Sequence, residues 1–274
     1  MDNVKSRSVC LICINYNSYN DLALYAESIR QAVSGVDNIN FTFCVVDNSI
    51  IDVDDKILSD LESNFPGYKY FKLPNIGYLP GAYFAFTELC AIYDFTIVSN
   101  VDLELSSDFF KNLITSNHAS NVGVIAPCIY SSHRCADLNP KIVSRVSKQQ
   151  LKRTRDIFSS PFRFYLYGKL SEIKCKIFQK KSVEGQLIYA PHGSLMIFTA
   201  AYFKSGANIN YPRFLFGEEV FVGESCLAFN LKVRYAPDIK VFDKDHGSTS
   251  LEKIAFISAH HVKSLNYLLD RYFN

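Results

Sequence analysis

Phe95-Thr-Ile-Val-Ser-Asn100-Val-Asp102-Leu-Glu104 is a short apolar run that stops abruptly in a cluster of oxygen-bearing side chains. Read as a buried strand, it ends at the carboxyl edge, where open α/β sheets bind their ligands. Carboxylate and amide oxygens are what hard divalent cations, and the phosphates that travel with them, bind. The stretch therefore predicts an α/β protein that handles a nucleotide or a related phosphate compound.

Working outward toward the N-terminus, Ser8 to Asn15 reads as a buried strand, and Asp21 to Val33 carries apolar residues at helical spacing until Gly35. The unit repeats. Phe41 to Val46 is a strand running into Asp47-Asn48-Ser49, Asp54 to Phe65 a helix, and Tyr68 to Leu73 a third strand. Pro74-Asn75-Ile76-Gly77 then opens a helix through Ala91. Such alternation implies a mostly parallel central sheet with helices on both faces.

In the other direction, Ser106 to Asn117 reads as a helix and Val122 to Ala126 as a strand. Order resumes at Leu187 to Ala190, followed by a strand over Gly193 to Phe198 and a short helix over Ala200 to Ser205. Glu218 to Asn230 is a helix whose Glu224 reads as part of a solvated face. Two strands, Lys232 to Tyr235 and Ile239 to Phe242, precede an amphipathic closing helix from Leu251 to Tyr272. The expectation is one domain over 1–274: a nucleotide- and metal-binding half (1–130), a basic insertion (141–185), an acceptor and catalytic half (186–250) and the C-terminal helix (251–274).

With 274 residues, 48% of them hydrophobic, the chain can bury a full core. The apolar run near the N-terminus, Val9 to Ile14, is too short to span a bilayer and lacks a small-residue cleavage site, so no membrane crossing is expected. Eight cysteines without a secretory leader suit reduced thiols in a cytosol. Cys10 and Cys13, three apart on a strand, fall on opposite faces and read as small buried hydrophobes.

The net charge of +2 conceals an asymmetry, because twelve Lys and Arg crowd positions 141 to 181 against only Asp156 and Glu172. Phe158, Phe162, Phe164, Tyr165, Tyr167 and Phe178 are interleaved with them. Cations mixed with aromatics suit an anionic membrane surface. A solvated basic face over ordinary core aromatics explains the same pattern, and no nucleic-acid fold signature accompanies it.

In order and spacing these pieces resemble the family-2 inverting glycosyltransferases of the GT-A nucleotide-diphospho-sugar transferase fold, in particular their rhamnosyltransferase-like branch. The resemblance covers roughly residues 8–130 and 186–250. It rests on Asn15-Tyr16-Asn17, Val45-Val46-Asp47-Asn48-Ser49, Asn75-Ile-Gly77-Tyr-Leu-Pro-Gly81, Asn100-Val-Asp102, His192-Gly-Ser, Phe214-Leu-Phe-Gly217-Glu218-Glu219, and Val241 to Thr249.

Carried over by position, the resemblance implies that Asn15, Tyr16, Asn17 and Asp47 bind the base, that Asn75, Gly77 and Gly81 approach the diphosphate, and that Asn100 contacts a sugar or ribose. Asp47 can accept from the imide N–H of a pyrimidine, or can be a turn or helix-cap residue. Gly77 and Gly81 can equally make a tight turn before a helix. Asp102 is the implied ligand of Mn2+ or Mg2+, joined by His246 or Asp243, with Glu104 as a supporting partner or an exposed acid. Glu219, next to Glu218, inherits the position of the catalytic base. Acids at a helix start also interact favourably with the helix dipole, which gives both glutamates an alternative explanation.

The function so implied is metal-dependent, inverting transfer of a sugar from a UDP- or dTDP-sugar to a hydroxyl of a lipid-linked cell-surface glycan such as an O-antigen. The protein would sit at the inner face of the cytoplasmic membrane. Two alternatives stay open. A sugar nucleotidyltransferase shares the strand-end acids, although Asn15 to Asn20 offers neither the glycine nor the lysine its first loop carries. A non-catalytic sugar-binding or scaffold protein would keep the fold without the chemistry.

Overall fold

The computed structural model describes residues 6–160, 162–166, 183–244 and 251–274. Its centre is β1 (Arg7–Asn15), which pairs in parallel with β2 (Ile39–Asp47) on one side and β4 (Phe95–Asn100) on the other. The registers set Asn15 opposite Asp47 and Ile14 opposite Asn100, so the polar ends of all three strands reach the same level. A third parallel strand, β3 (Tyr68–Lys72), extends the sheet beyond β2.

Alternation along β1 divides the core in two, as a period of 2 requires. Cys10, Ile12 and Ile14 face one apolar cluster; Val9, Leu11 and Cys13 face the other. The second cluster is covered by α1 (Tyr19–Ser34), α2 (Asp55–Asn64) and α4 (Phe109–Thr115). The first is covered by α3 (Tyr78–Leu89), α6 (Ala200–Lys204), α7 (Glu218–Ala228) and α8 (Leu251–Tyr272). The two cysteines lie on opposite faces and are fully buried, as their spacing implied.

Beyond β4 the sheet is mixed rather than mostly parallel. Its order is β3-β2-β1-β4-β9-β6-β10-β5. β9 (Leu195–Thr199) runs antiparallel between β4 and β6 (Val122–Ser131), so its entry turn, His192-Gly-Ser194, lands beside the carboxyl end of β4. There Asn100 N–H donates to the Ser194 carbonyl at 2.9 Å. The last two expected strands are one, β10 (Lys232–Asp243), with a register shift between Ala236 and Lys240 where Pro237 has no N–H to give the ladder. Leu103-Glu-Leu105, read as a polar loop, forms β5 and pairs antiparallel with the end of β10. Two-residue strands β7 (Ala136–Asp137) and β8 (Leu187–Ile188) complete the sheet.

Within the basic segment, α5 (Lys148–Phe158) begins at a capping box of Ser147 and Gln150 and buries Leu151 and Phe158 toward α8. Phe158 packs on His261, ring centroids 4.2 Å apart, and His261 stacks on Phe216 at 3.7 Å. Glu224 departs from its expected solvated face. It is 5% exposed, holds Arg145 through two bonds of 2.7 and 2.8 Å, and accepts from Tyr189 OH at 2.7 Å. The reason is that α7 is buried on nearly all sides, so its carboxylate needs partners.

Candidate active site

Asp47 ends β2 with its side chain fully buried. Its Oδ1 accepts from Asn15 Nδ2 and Ser49 N–H, both at 3.1 Å, and its Oδ2 from Tyr19 OH at 2.7 Å, Tyr70 OH at 2.6 Å and Lys72 Nζ at 3.0 Å. Burial would push its pKa up, but the hydrogen bonds from Ser49, Tyr70, Tyr19 and Lys72 prevail and hold it at about 2. Five donors occupy the acceptor positions a pyrimidine imide would use. Asp47 therefore braces the strand ends from below, and Asn15, also fully buried, serves the same brace.

Above the brace, Asn17 adopts φ 55° and its Oδ1 accepts from Ile50 N–H at 3.0 Å, which fixes the loop carrying the 45% exposed ring of Tyr16. Asn48 Nδ2 donates to the Gly77 carbonyl at 3.1 Å. Gly77, at φ 103°, starts α3, and a Cβ there would stand 2.2 Å from the Phe214 carbonyl. That carbonyl accepts from Tyr78 N–H at 3.1 Å, tying the first half of the chain to the second. Gly81 has another role: its missing side chain lets α3 pack on Val46, Ile14 and Asn48, directly behind the cleft wall.

These elements enclose a cleft of about 590 Å³. Tyr16, Asn48, Asn75, Gly77 and Asn100 line it from the first half; His192, Gly193, Phe214, Phe216, Glu218 and Glu219 do so from the second. The expected nucleotide-side loop, the strand-end asparagine and the glutamate pair are thus brought together. Asn15, Asp47 and Gly81 support the cleft without lining it.

The glutamates differ. Glu218, 8% exposed, accepts from Phe216 N–H at 3.1 Å. Burial, and then the charge of Glu219, push its pKa well above the usual carboxylate range. Glu219 is half-buried, and its Oε1 occupies the space that Gly193 leaves open, 3.3 Å from where a Cβ would sit. One carboxyl is thus kept neutral and pinned to the backbone, and the other faces the cleft.

His192, Tyr78 and the aromatic wall of Phe214, Phe216 and Phe256 belong to this cleft although sequence reasoning gave them no site role. Tyr78, Phe214 and Phe216 fall inside the segments that carry the resemblance, and their position beside glycines is the one signal that could have marked them. The His192 ring accepts from Ser194 N–H at Nδ1, 3.3 Å, which puts its proton on Nε2. Burial, with the positive charges of Lys141 and Arg134, keeps its pKa far below the usual imidazole value. It enters the cleft as a neutral group.

Asp102 lies two residues beyond the cleft-lining Asn100 and is not itself part of the lining, but its charge, with that of Glu219, reaches the buried Tyr78 hydroxyl. Asp243 is buried and stands opposite Leu103 in the β5–β10 ladder, one residue out of step with Asp102, whose carbonyl accepts from Lys244 N–H at 3.3 Å. Glu104 is an exposed acid 3.7 Å from Lys244. His246 lies outside the described residues. Among the described residues no three His, Cys, Asp or Glu side chains stand together as a ready ligand set. The donor chemistry at Asp102 nonetheless fits Mg2+ or Mn2+, which take one or two protein carboxylates and complete their shell with water and phosphate oxygens.

No protein-family model matches the chain, and no curated protein aligns with it significantly. Its fold does match solved structures. GalNAc-T7 with UDP, GalNAc and Mn2+ superposes with a TM-score of 0.60 at 12% identity, over 98% of this chain and 49% of that one. A mannosyltransferase from Pyrobaculum calidifontis in complex with GDP-Man and Mn2+ gives 0.52 at 10% identity, over 97% and 75%. S. aureus TarS 1–349 in complex with UDP-GlcNAc gives 0.55 at 12% identity, over 96% and 73%. The chain spans about half of the GalNAc-T7 structure. At these identities the likeness shows the fold: a mixed central sheet flanked by helices, the GT-A glycosyltransferase architecture.

Proposed function

We propose that this protein is a metal-dependent inverting glycosyltransferase that moves a sugar from a UDP- or dTDP-sugar to a hydroxyl of a glycan acceptor. The observation that carries the reading is the shared cleft: the strand-end Asn100 and the helix-start Glu219 come from distant stretches of chain and line one cavity. Inverting transfer needs one carboxylate that takes the acceptor proton as its oxygen attacks the anomeric carbon from the face opposite the leaving diphosphate. Glu219 faces the cleft and fills that role, while Glu218, kept protonated and hydrogen-bonded to Phe216, holds the turn.

Tyr16 and the backbone of Asn15 to Asn17 frame the base, Asn75 and Gly77 border the diphosphate, and Asn100 contacts the ribose or sugar. Asp102 would hold the cation, with Asp243 or His246 completing the protein's share. When bound, Mg2+ or Mn2+ neutralises charge developing on the leaving diphosphate. The neutral His192 supplies a hydrogen-bond donor that does not repel the cation.

The acceptor we propose is lipid-linked, met at the inner face of the cytoplasmic membrane in the making of a cell-surface polysaccharide. The exposed cations Lys148, Lys152, Arg153 and Arg163, next to Phe162 at 70% and Tyr165 at 47% exposure, support docking to an anionic membrane. No helix among the described residues is long and apolar enough to cross a membrane.

Calorimetric titration of UDP, dTDP and their sugars, with and without Mn2+, tests the reading. Donor binding that strengthens with Mn2+ and loses that response in Asp102→Ala is the expected result. A protein that binds no nucleotide sugar under any condition would overturn it and favour the scaffold alternative.

A further inference from the structure

Tyr78 is 6% exposed, and its hydroxyl has no hydrogen-bond partner among the described residues. The other tyrosines buried as whole residues each find one: Tyr19 at Asp47, Tyr25 at Ser99, Tyr189 at Glu224, Tyr202 at the Asn208 carbonyl, Tyr211 at the Phe216 carbonyl and Tyr235 at Asp137. Tyr68, half-buried on β3 and outside the cleft lining, shares the lack of a partner. A buried hydroxyl left unpaired costs about 1–3 kcal/mol, so an orphan in the wall of a cleft needs a reason.

Its surroundings supply one. Tyr78 lines the cleft, and the carboxylates of Asp102 and Glu219 are near enough for their charges to act on its hydroxyl. Burial, with those charges, keeps the phenol protonated, so it meets a ligand as a donor. Its placement is rigid: the residue opens α3, its N–H is bound to the Phe214 carbonyl at 3.1 Å, and its ring is held in the core. A second orphan shares the cleft, for Asn48 Oδ1 is unpartnered and cannot flip away without setting oxygen against the Gly77 carbonyl that its amide holds. The wall therefore holds an acceptor at the end of β2 and a donor at the start of α3, in the same cleft as the glutamate pair.

In a displacement the leaving group, the anomeric carbon and the attacking oxygen lie in line, so a wall residue of the cleft that Asn100 and Glu219 share borders the sugar in transit. Resting on the donor reading above, we infer that the Tyr78 hydroxyl donates a hydrogen bond to one ring hydroxyl of the transferred sugar and so selects the donor by configuration at a single carbon. Asn48 meets an N–H or O–H on the nucleotide side. A site built to bond a hydroxyl rejects analogues lacking it more strongly than an apolar wall rejects an extra group.

Tyr78→Phe removes the hydroxyl and nothing else. The melting temperature should hold or rise, because an unsatisfied polar group is lost, and UDP or dTDP alone should bind as to wild type. Affinity for the preferred nucleotide sugar, found from a panel of glucose, galactose and rhamnose donors, should fall about tenfold. Among monodeoxy analogues of that donor, one should bind wild type as weakly as the parent binds the variant, and should bind both proteins equally. A wild type that responds to a nucleotide sugar and a variant that responds equally would overturn the assignment alone. A lowered melting temperature with equal loss of UDP and UDP-sugar binding would also overturn it, as a purely structural role. A wild type indifferent to every nucleotide sugar would overturn the donor reading and this inference with it.

Discussion

Replacing Asp47 by Asn separates a structural brace from a ligand contact. The carboxyl has an ordinary pKa of 3.8 and about 2 in the fold. That fall of about 1.8, at 1.36 kcal/mol for each pKa unit, corresponds to about 2 kcal/mol of stability. Because the folded value lies below the unfolded one, the contribution is complete at neutral pH and fades as pH falls from about 4 to about 2. Asn also turns an amide N–H2 toward donors that previously met oxygen, Tyr19, Tyr70 and Lys72 among them, which adds roughly 1–2 kcal/mol. Urea unfolding followed by circular dichroism should therefore place Asp47→Asn about 3–4 kcal/mol below wild type at pH 7. The gap should narrow toward pH 3. A variant of wild-type stability that has lost UDP binding would refute the reasoning, since the carboxylate would then read the ligand and not the strand ends.

Three other outcomes follow from the geometry. Glu219→Gln should keep UDP-sugar binding and lose about 10²–10⁴-fold in the single-turnover transfer rate, measured by release of UDP in the presence of acceptor; an unchanged rate would remove Glu219 from the reaction. Gly77→Ala should destabilise by about 3–5 kcal/mol in a denaturant titration, since it places a side chain at positive φ and drives its Cβ into the Phe214 carbonyl. Replacing Lys148, Lys152 and Arg153 by Gln should reduce affinity for phosphatidylserine vesicles, read by co-flotation, roughly a hundredfold, each cation being worth about 1 kcal/mol near such a surface. Equal flotation of wild type with neutral and anionic vesicles would count against electrostatic docking.

The strands that set the strand-end level were legible because parallel strands buried on both faces read as unbroken apolar runs, as in Val9 to Ile14 and Phe43 to Val46. The antiparallel course of β9 was not, since a strand's direction in a sheet is fixed by the elements it enters between and not by its own residues. β5 was hidden by the very feature that drew attention to it: Glu104 reads as loop, yet Leu103 and Leu105 alternate inward on either side of it. Pro237 split one bent strand into two readings. In the site, the segments that carry the resemblance, Asn75 to Gly77 and Gly217 to Glu219, supply residues that line the cleft. Asp47 looked like a ligand residue because its five donors come from four separate places in the chain, and Tyr78 drew no site role because a missing partner leaves no mark in a sequence.

Phe216 precedes the glutamate pair by two residues and stacks on His261, which in turn packs on Phe158 of the cation-bearing helix. Close-packed rings are poor shock absorbers and pass a shove along. Three touching rings thus join the outer, cation-bearing helix to the backbone that leads into the glutamate pair, so that surface and carboxylates belong to one packed unit.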